Sequence, residues 1–525
     1  MSTVFKHDSL GSITVIKDQI LAQYRGIKYG TLKHAFAEAA MFTNEERKNI
    51  DATEFGPPTI SPPACGVEQA MMQQPLPYKD ISPSPTDCLN LNVIVPEIGK
   101  SNLPVFVFLH GGGYAIGANS WPQTDLVNFV KFSASQDSPI IGVSINYRLG
   151  APGFLASDEL TQAGCPTNRG LRDQQLAFKW VKKYISGFGG DPDNVTVIGA
   201  SAGGNAALLH LESSEPLFSM LISLAGTPLG LQPLTSEVAN STYQAVLKHL
   251  NINGSSAQER IDALLRVPPP DLLQKIPPHL PLCPMVDGDV VKHFSTFNFW
   301  SVEAKDKLPG AKWCQSIMMG DAKNDASVMP FILGQRTENL VPNFVATVEG
   351  FFKDEPRFLE QLFRAYDMRN PNHERATAAI MDFMGDLFFF APSVVTADGF
   401  PGKTYVYRFN VPNPWNGPCK STANHTFDAA CFLLNYRANL PKEQLGSSVI
   451  MATDFINFIR GKEPYPEYTP GKGGIRVYGP PADIHSFERS LDGDSTGRRI
   501  HVLELGQKIG LDRFSGLWHS FICQK

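Results

Sequence analysis

The pentapeptide Gly199-Ala200-Ser201-Ala202-Gly203 places a serine in a spacing suited to acyl-transfer chemistry. To push one hydroxyl off the end of a strand, the backbone must turn sharply. Residues two before and two after the serine then lie against neighbouring backbone, where only glycine or another small residue fits. A helix that starts just after the serine also aims its free N–H groups at the place where an oxyanion would form. Both elements flank this motif. Val195 to Ile198 is a β-branched run suited to a strand buried on both faces, and the small residues after Ser201 lead into AALLHL, a helix start. In a chain with 44 glycines the pentapeptide also arises by accident, so the flanks carry the reading.

A second motif fits the same chemistry. The apolar run Leu103 to Leu109 breaks into His110-Gly111-Gly112-Gly113-Tyr114, where side-chain-free backbone can approach a ligand. The N–H groups of Gly112 and Gly113, with that of Ala202, are candidate donors to a carbonyl oxygen that becomes negative. A phosphate loop would require G-x-x-x-x-G-K-[ST] or G-x-G-x-x-G before a helix, and neither occurs.

A serine at neutral pH needs a histidine base and a carboxylate to orient it, in the order Ser, Asp or Glu, then His. Asp325 is the best-placed acid, in the loop after the apolar run Ser316 to Gly320; Asp321 is the runner-up, and Asp287 and Asp289 read as parts of a structural turn. The histidines after Asp325 are His373, His425, His485, His501 and His519. His425 lies in a loop beyond the strand Thr404 to Phe409 and the segment NPWNGP, from which a ring can reach back over the sheet. His373 reads as surface, and His519 as packed near the C-terminus.

These residues need a scaffold, and the elements between them spell one. Gly11 to Tyr29 alternates as an edge hairpin. A Pro- and Met-rich tract from about Gly56 to Pro85 reads as irregular, and Cys65 and Cys88, which flank it, would clip it as a disulfide in an oxidising compartment. Asp87 to Val95 and Ile140 to Ile145 read as strands, and Asn168 to Tyr184 as an amphipathic helix. Strand, helix, strand in succession predicts an α/β fold around a parallel sheet. Residues 331–391 alternate aromatic clusters with charges and read as helices over the C-terminal edge of that sheet, a lid or gorge wall. Their phenylalanines line an acyl pocket or, for most of them, ordinary helix core. A last helix is expected around Leu440 to Arg460.

Composition narrows the function classes. With 42% hydrophobic and 18% charged residues and a formal charge of -5, the 525-residue chain has no basic footprint for nucleic acid. No apolar run reads as long enough to span a bilayer. Eight scattered cysteines show no metal-ligand spacing and read as mostly free, buried thiols, so neither metal nor cofactor is expected. The polar N-terminus is no signal peptide, which predicts a cytoplasmic protein, or a secreted one if a leader is missing. Without repeat, linker or low-complexity segment, residues 1–525 read as one domain.

TDCLNLNV, HGGGY, NYRLGAPGF, NRGLRDQQLAF, FGGDPDNVTVIGASAGG and PMVDGD, in this order, resemble the type-B carboxylesterase and lipase family, the cholinesterase-like branch of the α/β-hydrolases. The resemblance implies an α/β-hydrolase fold, with a mostly parallel sheet flanked by helices, and a serine esterase acting on small or medium organic esters. It implies catalytic roles for Ser201, Asp325 and His425, the last with an acidic residue three places on, here Asp428, and an oxyanion hole of Gly112, Gly113 and Ala202. Arg148 and Asp173 match a bracing ion pair of the family. Two family positions depart: Ala200 stands where cholinesterases carry Glu, and Ala225 where they carry Ser. The tract from Cys65 to Cys88 has no tryptophan to hold a quaternary ammonium, which argues against choline esters. Two alternatives are an acyltransferase or lactonase using the same triad, and a non-catalytic binding relative.

Overall fold

The runs that are apolar on both faces form the middle of one sheet. The computed structural model describes all residues except 47, 471, 480–486, 489–496 and 523–525. Ile141–Ile145, Leu103–Leu109, Gly190–Ala200, Met220–Leu224, Ser316–Ala322, Lys403–Phe409 and Ile475–Tyr478 lie side by side in that order, every pairing parallel. Beyond Ile141–Ile145 the sheet continues antiparallel through Asn90–Pro96, Leu21–Lys28, Gly11–Lys17 and Ser2–His7. The expected hairpin is therefore present, with one more strand outside it. Parallel neighbours need crossovers, and helices supply them on both faces.

Arg169–Tyr184 shows how the sequence sets these helices. Its buried Leu171, Gln174, Phe178 and Val181 recur at helical spacing, and Lys182 and Lys183 close its last turn, where cations suit the helix dipole. One face of the sheet buries Trp180, Tyr184 and Phe188; the other buries Phe106, Phe129, Phe432 and Phe455. Asp173 accepts from Arg148 Nε at 2.8 Å and Nη2 at 2.7 Å, both side chains within 1% of full burial, while Arg148 Nη1 donates to the carbonyls of Ala35 and Ala37. Breaking one partner of such a pair leaves a buried charge, so this is a brace. Asp287 accepts from Thr167 and Asn168, and Asp289 pairs with Arg172, as a structural turn requires.

Several expectations change. The tract from Gly56 to Pro85 contains a helix, Cys65–Met72, because its terminal carbonyls find donors elsewhere in the chain. Cys65 and Cys88 are both free and buried, with burial pushing each thiol up to about 12. Lys442–Ile459 forms as expected but is followed by Ile500–Ile509 and Leu511–Ile522. His519, on the last of these, is exposed. The helical run His373–Gly399 is long and apolar enough to cross a bilayer by length and composition, contrary to the sequence reading; 67% of its apolar window is buried inside the protein, as in a core helix. Cys523 lies outside the described residues.

Candidate active site

The strand Gly190–Ala200 ends at Ser201, and the helix Ala202–Leu209 begins immediately after it. Ser201 has φ 53° and ψ -120°, a conformation that L side chains rarely adopt. The flanking glycines explain how it is reached. A Cβ on Gly199 would strike the Gly203 carbonyl, and one on Gly203 would strike the Leu109 carbonyl. Ala202 is the first helical residue, so its N–H has no acceptor within the helix.

The glycine loop lies against this turn. A Cβ on Gly111 would come 2.8 Å from the Ala200 carbonyl oxygen and 3.1 Å from Ser201 Cβ. Gly112 and Gly113 have φ 98° and 61°, which glycine adopts without penalty. Tyr114 donates to Asn205 Oδ1 at 2.9 Å, tying the loop to the helix after Ser201. Beneath the loop, His110 stacks on Tyr147, centroids 4.5 Å apart, and its Nδ1 donates to the Gly111 carbonyl at 2.9 Å. Burial pushes this imidazole down to about 4, so it is neutral at pH 7.

The structure brings Asp325 and His425 to Ser201. His425 Nε2 lies 2.9 Å from Ser201 Oγ, and His425 Nδ1 lies 2.7 Å from Asp325 Oδ1. A carboxylate only accepts, so Nδ1 carries the proton and Nε2 is left to accept from the serine hydroxyl. His425 and Asp325 are each 2% exposed, whereas Ser201 is half-buried. Asp325 Oδ2 accepts the Ala322 N–H at 2.7 Å, fixing the carboxylate plane.

Two loops carry these groups, and they are joined to each other. Asn324 N–H donates to the Ala423 carbonyl at 2.8 Å, and His425 N–H donates to Ser327 Oγ at 2.9 Å. The loop of His425 is also held from outside: Asn413 and Asn424 amides donate to the carbonyls of Met72 and Met71 at the end of Cys65–Met72. Glu68, on that helix, has its carboxyl pushed up to about 7 by burial, with His425 acting in the opposite sense. Behind His425, Asp428 is buried and accepts from the Tyr407 hydroxyl at 2.7 Å. Burial, followed by the charge of Asp325, raises Asp428 to about 6.

The competing candidates lie elsewhere. Asp321 is fully buried and pairs with Arg408 and Arg499. His373 is exposed, His501 is half-buried beside Glu504, and His485 lies outside the described residues. Ala225 contributes a backbone N–H to the Gly320 carbonyl and no polar side chain. Sequence reading missed Ser327, Asn413, Asn424 and Glu68. Asn424 adjoins His425, which is a usable hint, but the partners of all four come from distant segments and leave no local pattern. Among the described residues, no group of three or more His, Cys, Asp and Glu side chains is arranged to hold a metal ion.

Comparison with known proteins identifies the family. A family model described as the carboxylesterase family matches residues 10–474. Para-nitrobenzyl esterase of Bacillus subtilis is 40% identical over 227 residues, 43% of this chain and 42% of that protein. The inactive carboxylesterase-like protein VdtD of Byssochlamys spectabilis is 34% identical over 205 residues, 38% of this chain and 35% of that protein. The chain thus spans less than half the length of these curated relatives. A solved structure of a PNB esterase superposes with TM-score 0.67 at 25% identity, covering 89% of this chain and 94% of that one. The sheet is that of an α/β-hydrolase and the match runs through nearly all of it: the chain belongs to the carboxylesterase family.

Proposed function

We propose that the protein hydrolyses carboxylic esters of small or medium organic molecules through an acyl-enzyme on Ser201. The observation that carries this reading is the unbroken hydrogen-bonded chain Ser201 Oγ, His425 Nε2, His425 Nδ1, Asp325 Oδ1, at 2.9 and 2.7 Å. His425 Nε2 takes the hydroxyl proton as Oγ bonds to the ester carbonyl carbon. Asp325 holds the Nδ1 proton and stabilises the imidazolium. The N–H groups of Gly112, Gly113 and Ala202 hold the tetrahedral oxyanion, each worth about 3 kcal/mol in the transition state. The bond to the alcohol oxygen then breaks, and that oxygen leaves with the proton from Nε2. Water repeats the sequence on the acyl-enzyme and releases the acid. No cofactor enters any of these steps.

Residues 331–391 act as a lid over the site within a single domain: they carry the helices Leu340–Phe351, Pro356–Tyr366 and His373–Gly385, and Phe389 beyond them packs on His425. The name of the Bacillus relative recommends p-nitrobenzyl and p-nitrophenyl esters as first substrates. Ser201→Ala lowers p-nitrophenyl acetate turnover by roughly a million-fold, to what binding and the oxyanion donors alone provide. It also removes organophosphonate labelling, located by mass spectrometry. Retained turnover in the variant overturns the reading.

A further inference from the structure

A π turn inserted into an α-helix rotates the side chains that follow it, and such turns concentrate at functional sites. The run His373–Gly399 contains one at Asp386–Phe390, and it sends three side chains to different places. Asp386 is 1% exposed, accepts from the Tyr366 hydroxyl at 3.0 Å, and pairs with Arg498 at 3.1 Å and Arg499 at 3.8 Å. Phe390 lies beneath the guanidinium groups of Arg408 and Arg499, at 4.7 and 4.5 Å. Phe389 alone in the turn is half-buried, and its ring centroid is 5.1 Å from that of His425, tilted by 55°.

We infer that Phe389 is the wall against which the alcohol portion of the ester lies, and that Arg498 and Arg499 are positioning residues that hold this wall through Asp386. The inference rests on the triad reading given above. In that reaction Nε2 of His425 hands a proton to the departing alcohol oxygen, so this oxygen sits within hydrogen-bond reach of the imidazole. The carbon attached to it therefore passes beside the ring that packs on the same imidazole. The acyl chain is attached instead to the carbon bound to Ser201, beside the glycine loop. An aromatic wall favours benzyl, aryl and bulky alkyl alcohols over short ones, because it offers them a face to stack on and little to ethanol.

The arginines come from a distant part of the chain, at the start of Ile500–Ile509. Arg499 also pairs with Asp321, on the strand that leads to Asp325. One buried cluster thus joins the π turn, the acid-bearing strand and the C-terminal helices. Removing Arg499 takes a countercharge from two buried carboxylates, and the turn that carries Phe389 must repack.

The test compares kcat/KM for ethyl and benzyl acetate, which share one acetyl-enzyme, with kcat/KM for p-nitrophenyl acetate, butyrate and octanoate, which share one alcohol. Phe389→Ala lowers the benzyl-to-ethyl ratio roughly threefold to tenfold. It leaves the relative rates within the p-nitrophenyl series unchanged. Arg499→Met moves the benzyl-to-ethyl ratio in the same direction, and Arg499→Lys restores it. If Arg499→Met does not fold, Asp386→Asn, which keeps an oxygen for Tyr366, serves in its place and shows the same shift. An unchanged benzyl-to-ethyl ratio in Phe389→Ala, or a change confined to the acyl series, overturns the wall. A uniform loss on every ester in the arginine or Asp386 variant overturns the positioning role. Wild-type protein that neither hydrolyses these esters nor takes an organophosphonate on Ser201 sinks the triad reading instead, so the two failures are distinguishable.

Discussion

The two halves of the site are built in different ways. On the nucleophile side, backbone lies against backbone: Gly199 against Gly203, Gly203 against Leu109, Gly111 against Ala200. On the acid and base side, side chains from four segments hold two loops together: Ser327 on His425, Asn413 and Asn424 on the helix Cys65–Met72, and Arg498 and Arg499 on the turn that bears Phe389. A steric arrangement of the first kind tolerates no added atom. One of the second kind distributes its hold over several hydrogen bonds, each worth about 1 kcal/mol, and a buried ion-pair cluster.

The difference predicts a gradient of mutational effects. Gly203→Ala is expected to be the most damaging, since its Cβ has nowhere to go; it lowers stability by about 3 kcal/mol in a denaturant melt. It also lowers ester turnover more than ~100-fold by displacing Ser201. Near-normal kinetics in this variant would break the contrast at its steric end.

Acid stability separates the halves by sign. His110, under the glycine loop, is depressed to about 4 by burial. Its contribution is present above the unfolded value near 6.5, and is lost as the pH falls toward 4, because the unfolded chain then binds the extra proton. Asp428, behind His425, is raised to about 6. Its contribution is fully present below the unfolded value near 3.9 and is lost as the pH rises toward 6. The two slopes oppose each other between pH 4 and 6, each by roughly 1.4 kcal/mol per pH unit. Relative to wild type, Asp428→Asn should lose stability more steeply on acidification, and His110→Gln less steeply. Thermal melts across this range check the pair, and matching slopes in both variants contradict the assignment.

The smallest effect is expected from Ser327→Ala. It removes one acceptor from the His425 N–H while the Asn324 to Ala423 bond remains, so turnover falls about threefold to tenfold with KM little changed. A loss as large as that of Gly203→Ala would show that the base loop depends on a single bond, and would erase the distinction between the halves.

The same division separates what the chain announces from what it conceals. The glycines around Ser201, the three glycines after Leu109 and the β-branched strand runs are readable because steric exclusion acts over a few residues and leaves a fixed spacing. Those patterns determined the parallel sheet, the turn at Ser201 and the loops that carry Asp325 and His425. Only the tertiary structure decided that part of a Pro- and Met-rich tract is helical, that two further helices follow Lys442–Ile459, and that Phe389 faces His425. Each of these depends on donors, countercharges or rings supplied from remote segments. A contact between residues far apart in the chain imposes no period on either of them, so it becomes visible only once the fold has brought them together.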